Sequence, residues 1–225
     1  MFDITVLKNL NILYAEDDVE QKEAVEKTLK LLFKNVYTAN DGLEAFEIFQ
    51  KYNIQIVLLD YVMPNLDGYE VATKLRTLKP KIPLIIASAH NEKEKLLNSI
   101  QVQVIQYIEK PITQEKLLNV LELAYLKLEQ HNLLNIELND AVVYSYLDNK
   151  LLFQDEEIKL SKQEVALVEL LLGYKGQLVS KEVIEQEIFK ESIESNTFRN
   201  IIYRLRKKIG ENNLLTVQDV GYLIP

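Results

Sequence analysis

The sequence predicts an α/β domain with a five-stranded, parallel, doubly wound sheet, followed by a smaller α+β domain. In the first part of the chain, short apolar runs alternate five times with stretches of helical period, which is typical of a parallel sheet covered by helices on both faces. After residue 128 the pattern changes to short strands, three helices and a final hairpin. With 225 residues the chain is long enough for two domains. We expect the first domain at 1–128, a linker at 129–137 and the second domain at 138–225.

Five apolar runs are the predicted strands of the first domain: NILYA, NVYTA, IQIVLLD, IPLIIASA and VQVIQYI. Their nearly continuous apolar character fits strands that are buried on both faces. The helical period predicts five helices, at Val19–Phe33, Leu43–Tyr52, Tyr69–Leu78, Glu92–Ile100 and Thr113–Leu128. The pairs Asp41–Gly42 and Asp67–Gly68 are turn signals directly before two of them.

The second domain has its own start and stop signals. The stretch AVVYSYLDNKLLFQDEEIKL predicts short antiparallel strands separated by turns. Ser161 and Glu164 form a capping-box pattern at the start of a helix, and a second helix follows Ser180. A third helix is predicted from Asn196 to Ile209, ended by Gly210. The last stretch, NLLTVQDVGYLIP, predicts a hairpin.

Composition excludes several classes of protein. Apolar residues make up 48% and charged residues 27% of the chain, as in ordinary globular domains. No apolar run approaches the ~18 residues of a membrane span, and the start of the chain lacks the layout of a signal peptide. Without cysteine there is no disulfide framework or thiolate metal site, so we expect a cytoplasmic location and no membrane partner. The net charge of −8 argues against indiscriminate coating of nucleic acid.

Acidic residues follow two of the predicted strands. Glu16, Asp17 and Asp18 leave the first strand, and Asp60 ends the third. Ligands of open α/β sheets bind outside the carboxyl ends of the strands, so these carboxylates should converge. Like charges at that range need a cation or a raised pKa. Oxygen ligands without His or Cys favour a hard cation, and Mg²⁺ fits best.

Two further strand ends complete a phosphoryl-transfer pattern. Ser88 ends the fourth strand, and Lys110 follows the fifth. A hydroxyl, an ammonium and a cation around a carboxylate suit attack on a phosphoryl group, with Asp60 as nucleophile and Lys110 offsetting the charge of the phosphoryl oxygens. Each feature alone has a structural alternative, since an EDD sequence is commonly a turn and helix cap.

The motifs ILYAEDD, IVLLDYVMPNLDGYE, IIASAH and YIEKP resemble the receiver domain of bacterial two-component response regulators over residues 10–128. The resemblance implies a flavodoxin-like fold, and a sensor histidine kinase that phosphorylates Asp60. The only catalysis it implies is self-phosphorylation and autodephosphorylation. The implied Mg²⁺ site has Asp17 as a direct ligand, Glu16 acting through water, Asp60 itself and the backbone carbonyl of Val62.

The same resemblance implies a switch. Lys110 looks like the phosphate-contacting lysine, while Ser88 and Tyr107 look like a switch pair. Phosphorylated Asp60 would attract Ser88, and Tyr107 would rotate from solvent into the vacated space.

The face that includes the last strand departs from the DNA-binding members of this family. VQVIQYIEKP lacks the usual small and acidic residues, and the helix TQEKLLNVLELAYLKL has no arginine. We expect a homodimer through the last strand and its flanking helices, held by apolar contacts. A phosphorylation-independent, constitutive dimer stays open as an alternative.

The third helix of the second domain, SNTFRNIIYRLRKKIG, is amphipathic and basic. Opposite its apolar face lie Asn196, Arg199, Asn200, Tyr203 and Lys207, flanked by Arg204, Arg206 and Lys208. A locally basic helix in an acidic chain is typical of a directed nucleic-acid contact. Arginine and asparagine are the side chains that pair bidentately with guanine and adenine. The alternative is a solvated basic face.

The stretches LSKQEVALVELLLGYKGQLVSKEVI, NTFRNIIYRLRKKIG and LLTVQDVGYLI resemble the winged-helix output domain of OmpR/PhoB-type regulators. The resemblance implies binding to promoter DNA, with RNA polymerase as a further partner. Its candidate DNA contacts are Asn196, Thr197, Asn200, Tyr203, Arg204 and Arg206. Gln218 and Asp219 stand where the family usually has arginine and glycine in the wing. DNA contact by this wing therefore stays open.

Two other functions remain as hypotheses. A phosphatase or other phosphoryl-transfer enzyme would use Asp60 as nucleophile, although Val62 occupies the position where many such enzymes have a second acid. A protein–protein switch without DNA binding is favoured by the acidic second domain and the altered wing.

Overall fold

The computed structural model describes residues 2–89, 102–139, 141–154, 156–218 and 220–225. The chain divides into two compact units, Met1–Leu134 and Asn135–Pro225. The predicted helix Glu92–Ile100, and Asp219 of the predicted hairpin, lie outside the described residues. Within the described ranges, no helix combines the length and the apolar character that crossing a bilayer requires.

A parallel sheet of five strands forms the centre of the first unit, in the order β2-β1-β3-β4-β5. The strands are β1 (Asn11–Ala15), β2 (Asn35–Ala39), β3 (Ile56–Asp60), β4 (Leu84–Ser88) and β5 (Gln106–Glu109). The strand order reverses next to β1, so the carboxyl ends of β1 and β3 lie side by side at the switch point. The predicted doubly wound α/β fold is confirmed.

The helices of this unit are α1 (Val19–Leu32), α2 (Gly42–Lys51), α3 (Gly68–Leu78) and α4 (Gln114–Gln130). Each begins after a side chain that accepts a hydrogen bond from a backbone amide of the first turn; these N-caps are Asp18, Asp41, Asp67 and Thr113. Capping satisfies amide groups that have no partner within the helix. A short 3₁₀ helix, Ile4–Asn9, precedes β1.

The central strands are the most deeply buried part of this unit. Every residue of β3 and β4 is buried, as are the last four residues of β1. An apolar strand covered on both faces is held rigidly by its packing. The polar groups that follow these strands are therefore held at fixed positions along one sheet edge.

Several predicted boundaries shift by one or two residues, and two differ by more. Strand β5 begins at Gln106, four residues later than the run VQVIQYI predicts, and the turn at Val102 and Gln103 before it bonds to Arg76 of α3. The Arg76 guanidinium donates to the carbonyl oxygens of Val102 and Gln103 at 2.7 and 2.8 Å. The predicted linker is also shorter, since α4 continues to Gln130 and a new strand begins at Asn135.

The second unit opens with a four-stranded antiparallel sheet of β6 (Asn135–Asn139), β7 (Val142–Ser145), β8 (Lys150–Phe153) and β9 (Glu156–Ile158). Helix α5 (Lys162–Gly173) follows, then α6 (Lys181–Ile184), which continues as a π-helical turn to Phe189. Helix α7 (Ser195–Ile209) and the hairpin of β10 (Leu215–Val217) and β11 (Gly221–Leu223) complete it. An isolated bridge between Val179 and Tyr222 ties this hairpin to the chain before α6.

A buried ion pair joins α7 to the start of α5. Ser161 and Glu164 form the reciprocal capping box that the sequence predicts. The Lys208 ammonium donates to Oε2 of the buried Glu164 at 2.7 Å. Burial alone would raise the pKa of Glu164, but the hydrogen bonds from Lys208 and the Ser161 amide outweigh it and lower that pKa. Lys208 is thus engaged in holding the domain together.

Candidate functional site

Three carboxylates converge at the carboxyl ends of β1 and β3. One oxygen each of Glu16, Asp17 and Asp60 lies within 4.8 Å of the other two. Glu16 and Asp60 are 0% and 5% exposed, whereas Asp17 is exposed. Asp18 has a different role, because it caps α1 by accepting a hydrogen bond from the Gln21 amide at 2.9 Å. Sequence reasoning had left Asp18 within the same acidic group.

A single lysine bridges the two buried acids. The Nζ atom of Lys110 lies 2.8 Å from Oδ2 of Asp60. It also lies 2.8 and 2.9 Å from Oε2 and Oε1 of Glu16. Lys110 follows β5 directly, so its ammonium arrives from the third strand end of this edge.

The electrostatics of the cluster favour a cation. Burial raises the pKa of Asp60 and of Glu16, and Lys110 opposes that shift at both carboxyls. Burial alone would lower the pKa of Lys110, but its hydrogen bonds to Asp60 and Glu16 raise it. Among the described residues of the cluster, three carboxylates and the Lys110 ammonium leave excess negative charge, and the clustered ligand atoms are hard oxygens. The cluster can therefore hold a metal ion, and its donor set fits Mg²⁺.

The loop after β3 is held close to Asp60 by a glycine. A Cβ atom on Gly68 would lie 2.2 Å from the carbonyl oxygen of Asp60, so only glycine lets α3 begin against the strand end. The Gly68 amide donates to the Tyr61 carbonyl at 2.9 Å. Between them, Val62 lies two residues beyond Asp60 with its side chain exposed. The sequence analysis treated Gly68 only as a turn residue and missed its close approach to Asp60. The Asp67–Gly68 pair was the one signal of this position in the sequence.

The predicted switch residues lie on β4 and β5. Ser88 is the last residue of β4 and is buried, one position beyond Ala87, the register partner of Asp60. Tyr107 of β5 is half-buried and packs against the core, and its hydroxyl oxygen is shielded from solvent. The sequence-based hypothesis placed the Tyr107 side chain in solvent before phosphorylation. In this structure its hydroxyl is already buried.

Two residues near the cluster were missed by sequence reasoning. The hydroxyl of buried Tyr14 donates to Oε2 of Glu16 at 3.2 Å. The Lys22 ammonium donates to the Glu16 backbone carbonyl at 3.3 Å and also contacts Asn40. The alternation of side chains along β1 could have indicated Tyr14, which lies two residues before Glu16. Nothing in sequence spacing indicated Lys22.

Helix α7 of the second unit separates its apolar and polar faces. Its buried residues are Phe198, Ile201, Ile202, Leu205 and Ile209. Most of the predicted DNA contacts are exposed, namely Asn196, Thr197, Arg199, Asn200, Tyr203, Arg204 and Lys207. The Lys207 ammonium lies 4.7 Å above the Tyr203 ring. At the start of the helix, the Glu194 side chain makes no capping hydrogen bond to the amides of the first turn.

Arg206 differs from the other predicted DNA contacts. Its Nε donates to the Leu214 carbonyl at 2.9 Å, and its Nη2 donates to Thr216 Oγ1 at 2.5 Å. The guanidinium therefore holds strand β10 against α7. The position of Arg206 beside the hairpin, rather than on the outward face, explains this engagement.

The hairpin is the wing that the sequence predicts, and part of its exposed surface is apolar. Leu215, Val217 and Val220 are all exposed, and so is Gln218. A cavity of about 340 Å³ lies between this hairpin and the starts of α6 and α7. Its lining includes Lys181, Ser195 and Arg199.

Comparisons with known proteins agree with both units. Residues 12–122 match the response regulator receiver domain, and residues 155–224 match the C-terminal domain of transcriptional regulatory proteins. Swarming motility regulation protein RssB of Serratia marcescens is 28% identical over 96% of this chain and 99% of its own. Response regulator RR06 of Streptococcus pneumoniae is 29% identical with the same coverages. A solved two component transcriptional regulator AraC from Clostridium phytofermentans is 29% identical, covering 55% of this chain and 98% of its own, with a TM-score of 0.51.

The two matched domains define a transcriptional regulator that carries a receiver domain. The chain belongs to the two-component response regulators of the OmpR/PhoB type, as the sequence motifs predict. This family implies a histidine kinase as partner and DNA as target. The assignment favours the regulator over the phosphatase and over the protein–protein switch that the sequence left open.

We predict that Lys110→Ala destabilises the first unit by about 3 kcal/mol at pH 7, because two buried carboxylates lose their shared counter-charge. Without the ammonium, the pKa of both carboxyls rises further. A carboxyl whose pKa is higher in the folded than in the unfolded chain costs stability as pH rises through the folded pKa. The loss should therefore be smaller at pH 5 than at pH 7. Urea-dependent hydrogen exchange of peptides from β1 and β3 measures it.

The matched control is Lys116→Ala, which removes an exposed ammonium that donates to the Glu109 backbone carbonyl. We expect the control to change stability by less than about 0.5 kcal/mol at either pH. An equal loss at both pH values for Lys110→Ala would contradict the electrostatic account of the cluster.

Proposed function

We propose that this response regulator works in the cytoplasm, where a sensor histidine kinase phosphorylates Asp60 and thereby shifts dimerisation and sequence-specific DNA binding. The observation that supports this proposal is the convergence of Glu16, Asp17, Asp60 and Lys110 at one sheet edge. The first unit, Met1–Leu134, would receive the phosphoryl group, and the second unit, Asn135–Pro225, would bind DNA.

The chemistry follows from the positions of the side chains. An Oδ atom of Asp60 would attack the phosphorus of a phosphohistidine. The O–P bond forms as the P–N bond breaks, and the imidazole leaves with the electron pair. Lys110 would turn from Glu16 to a phosphoryl oxygen, and the Ser88 hydroxyl would donate to another. Mg²⁺ held by Glu16, Asp17, Asp60 and the Val62 carbonyl would supply positive charge against the incoming phosphoryl group.

The response would pass through β4 and β5. Movement of Ser88 toward the phosphoryl group opens space on the side of Tyr107. The inward position of the Tyr107 hydroxyl would then be favoured over an outward one. Phosphorylation would thus bias an equilibrium between two arrangements of the face formed by β5 and its flanking helices.

We predict that Asp60→Asn abolishes the mass increase of one phosphoryl group after incubation with a small phosphodonor and Mg²⁺, because the amide is not a nucleophile. Intact-protein mass spectrometry measures the adduct. The matched control is Asp18→Asn, which changes a nearby acid outside the cluster and keeps a good N-cap. The control should still be phosphorylated. Undiminished labelling of Asp60→Asn would place the phosphoacceptor elsewhere.

The polar face of α7 supports sequence-specific DNA binding. A helix of this kind fits the major groove, where Asn200 pairs with adenine and Arg199 with guanine. Lys207 lies on that face and Arg204 flanks it, and both would contact phosphates. The uncapped amides at the start of α7 provide a further site for a phosphate. Arg206 would act indirectly, by holding the wing against the helix.

We predict that Asn200→Ala changes which sequence is bound, with a loss of about 1–3 kcal/mol of discrimination at one base position. Arg204→Ala should weaken binding to all sequences alike and reduce the salt dependence by about one released counterion. Fluorescence anisotropy on a selected site and its point variants, over a salt series, separates the two. Lys150→Ala is the control, since it removes the same charge from the antiparallel sheet, where Lys150 pairs with Glu157. Identical effects of both α7 variants would contradict this sorting of contacts.

We also propose a homodimer through β5 and its flanking helices, supported by two exposed leucines on α4. Leu123 and Leu126 are 39% and 49% exposed and lie one turn apart on that helix. Apolar side chains there would replace the ion pairs that the sequence lacks. The second flanking helix, predicted at Glu92–Ile100, lies outside the described residues.

We predict that the double variant Leu123→Glu/Leu126→Glu is monomeric under conditions in which the wild type is a dimer. Sedimentation velocity with and without phosphodonor measures this, and Leu31→Glu on α1 is the control because Leu31 is already largely exposed. Dimers without phosphodonor would identify the constitutive alternative. A double variant that still dimerises would exclude this face.

A further inference from the structure

A tyrosine inside the sheet is bonded to the acidic cluster. Tyr14 and Glu16 are both 0% exposed, and they lie two residues apart on one face of the same extended segment. The Glu16 amide still donates to the Ala39 carbonyl at 3.2 Å, so the strand geometry continues past β1. The Tyr14 hydroxyl, at the end of a rigid ring, donates to Oε2 of Glu16 at 3.2 Å. The neutral Tyr14 hydroxyl thus fixes Oε2 of Glu16.

Glu16 has to change partners during the proposed reaction. In this structure Lys110 contacts both of its carboxylate oxygens, at 2.8 and 2.9 Å. When Lys110 turns to the phosphoryl group, Glu16 loses that ammonium while it remains buried. The Tyr14 hydroxyl does not take part in this exchange. It would keep Oε2 in place and so hold the carboxylate of Glu16 beside those of Asp17 and Asp60.

We propose that Tyr14 is a positioning residue of the phosphoryl-transfer site, which orients Glu16 toward the cation and so sets the affinity for Mg²⁺. This inference rests on the proposed function, because it assigns Tyr14 a part in that reaction. Hydrogen bonds from neutral donors to a carboxylate are stronger than those between neutral groups. A phenylalanine at this position would fill the same space without fixing the acid.

The test compares Mg²⁺ binding to the full-length wild type and Tyr14→Phe by isothermal titration calorimetry, without phosphodonor. We expect the variant to bind Mg²⁺ on the order of tenfold more weakly, as loss of a hydrogen bond to a charged group implies. Its phosphorylation rate should fall at low Mg²⁺ and recover at saturating Mg²⁺. Recovery is expected because the reacting groups Asp60 and Lys110 are unchanged.

The chain offers a matched control in its other unit. Tyr144 is also 0% exposed, and its hydroxyl donates to Oε1 of Glu169 at 2.8 Å. Tyr144→Phe removes the same chemical group from a buried tyrosine bonded to a half-buried glutamate, remote in sequence from the cluster. It should leave the affinity for Mg²⁺ unchanged whatever its effect on stability. An equal loss of affinity in both variants would overturn the proposal.

A double-mutant cycle tests whether Tyr14 acts through Glu16. In a Glu16→Gln background, Tyr14→Phe should cause no further loss of Mg²⁺ affinity, and a full additional loss would overturn the proposal. If Tyr14→Phe does not fold, Tyr14→Met replaces it, because methionine also lacks the hydroxyl and adapts to irregular space in a core. Suppose that the folded variant binds Mg²⁺ as tightly as the wild type, while the wild type is phosphorylated on Asp60. That result overturns the role of Tyr14 and leaves the proposed function intact. A wild type that is not phosphorylated there overturns the proposed function itself.

Discussion

One lysine ammonium shared between two buried carboxylates is the interaction on which the receiver unit depends. Lys110 reaches Glu16 across 94 positions of the chain and reaches Asp60 from the same point. That meeting requires β1, β3 and β5 to end along a single edge, which the parallel sheet provides. Without the ammonium, the burial of Glu16 and Asp60 would cost several kcal/mol. The fold therefore holds the two carboxylates close together, and the Lys110 ammonium offsets the cost of burying them.

The same arrangement explains how the unit can act as a switch. In the described part of the cluster, the three carboxylates exceed the Lys110 ammonium in charge, which favours binding of a cation. A phosphoryl group on Asp60 would compete with Glu16 for Lys110, and the partners of both acids would then rearrange together. Packing keeps the strands rigid, so the rearrangement is confined to side chains at the strand ends and to the loops that follow them. In the second unit, two basic side chains hold elements together instead of taking part in a rearrangement. Lys208 fixes α7 to α5, and Arg206 fixes α7 to the wing.

Much of the fold and of the acidic cluster could be predicted from the sequence, because the ends of buried strands can be recognised in it. The buried runs before Glu16 and Asp60 placed both acids at one sheet edge, and the repeated alternation predicted the fold. Residues whose roles depend on tertiary contacts could not be found in the same way. Arg76 bonds the turn before β5, and Arg206 is predicted as a DNA contact although the folded chain places the hairpin beside it. Tyr14 reads as an ordinary core residue, since its hydroxyl meets Glu16 only when the strand is built.

The most direct test of the central claim is a crystal structure of the full-length protein with Mg²⁺ and beryllofluoride, a mimic of a carboxylate-bound phosphoryl group. The account predicts beryllium bonded to an Oδ atom of Asp60, with the Lys110 ammonium moved from Glu16 to a fluoride and the Tyr14 hydroxyl still on Glu16. An adduct on another side chain, or a Lys110 that stays on both Glu16 oxygens beside a fully formed adduct, would contradict it.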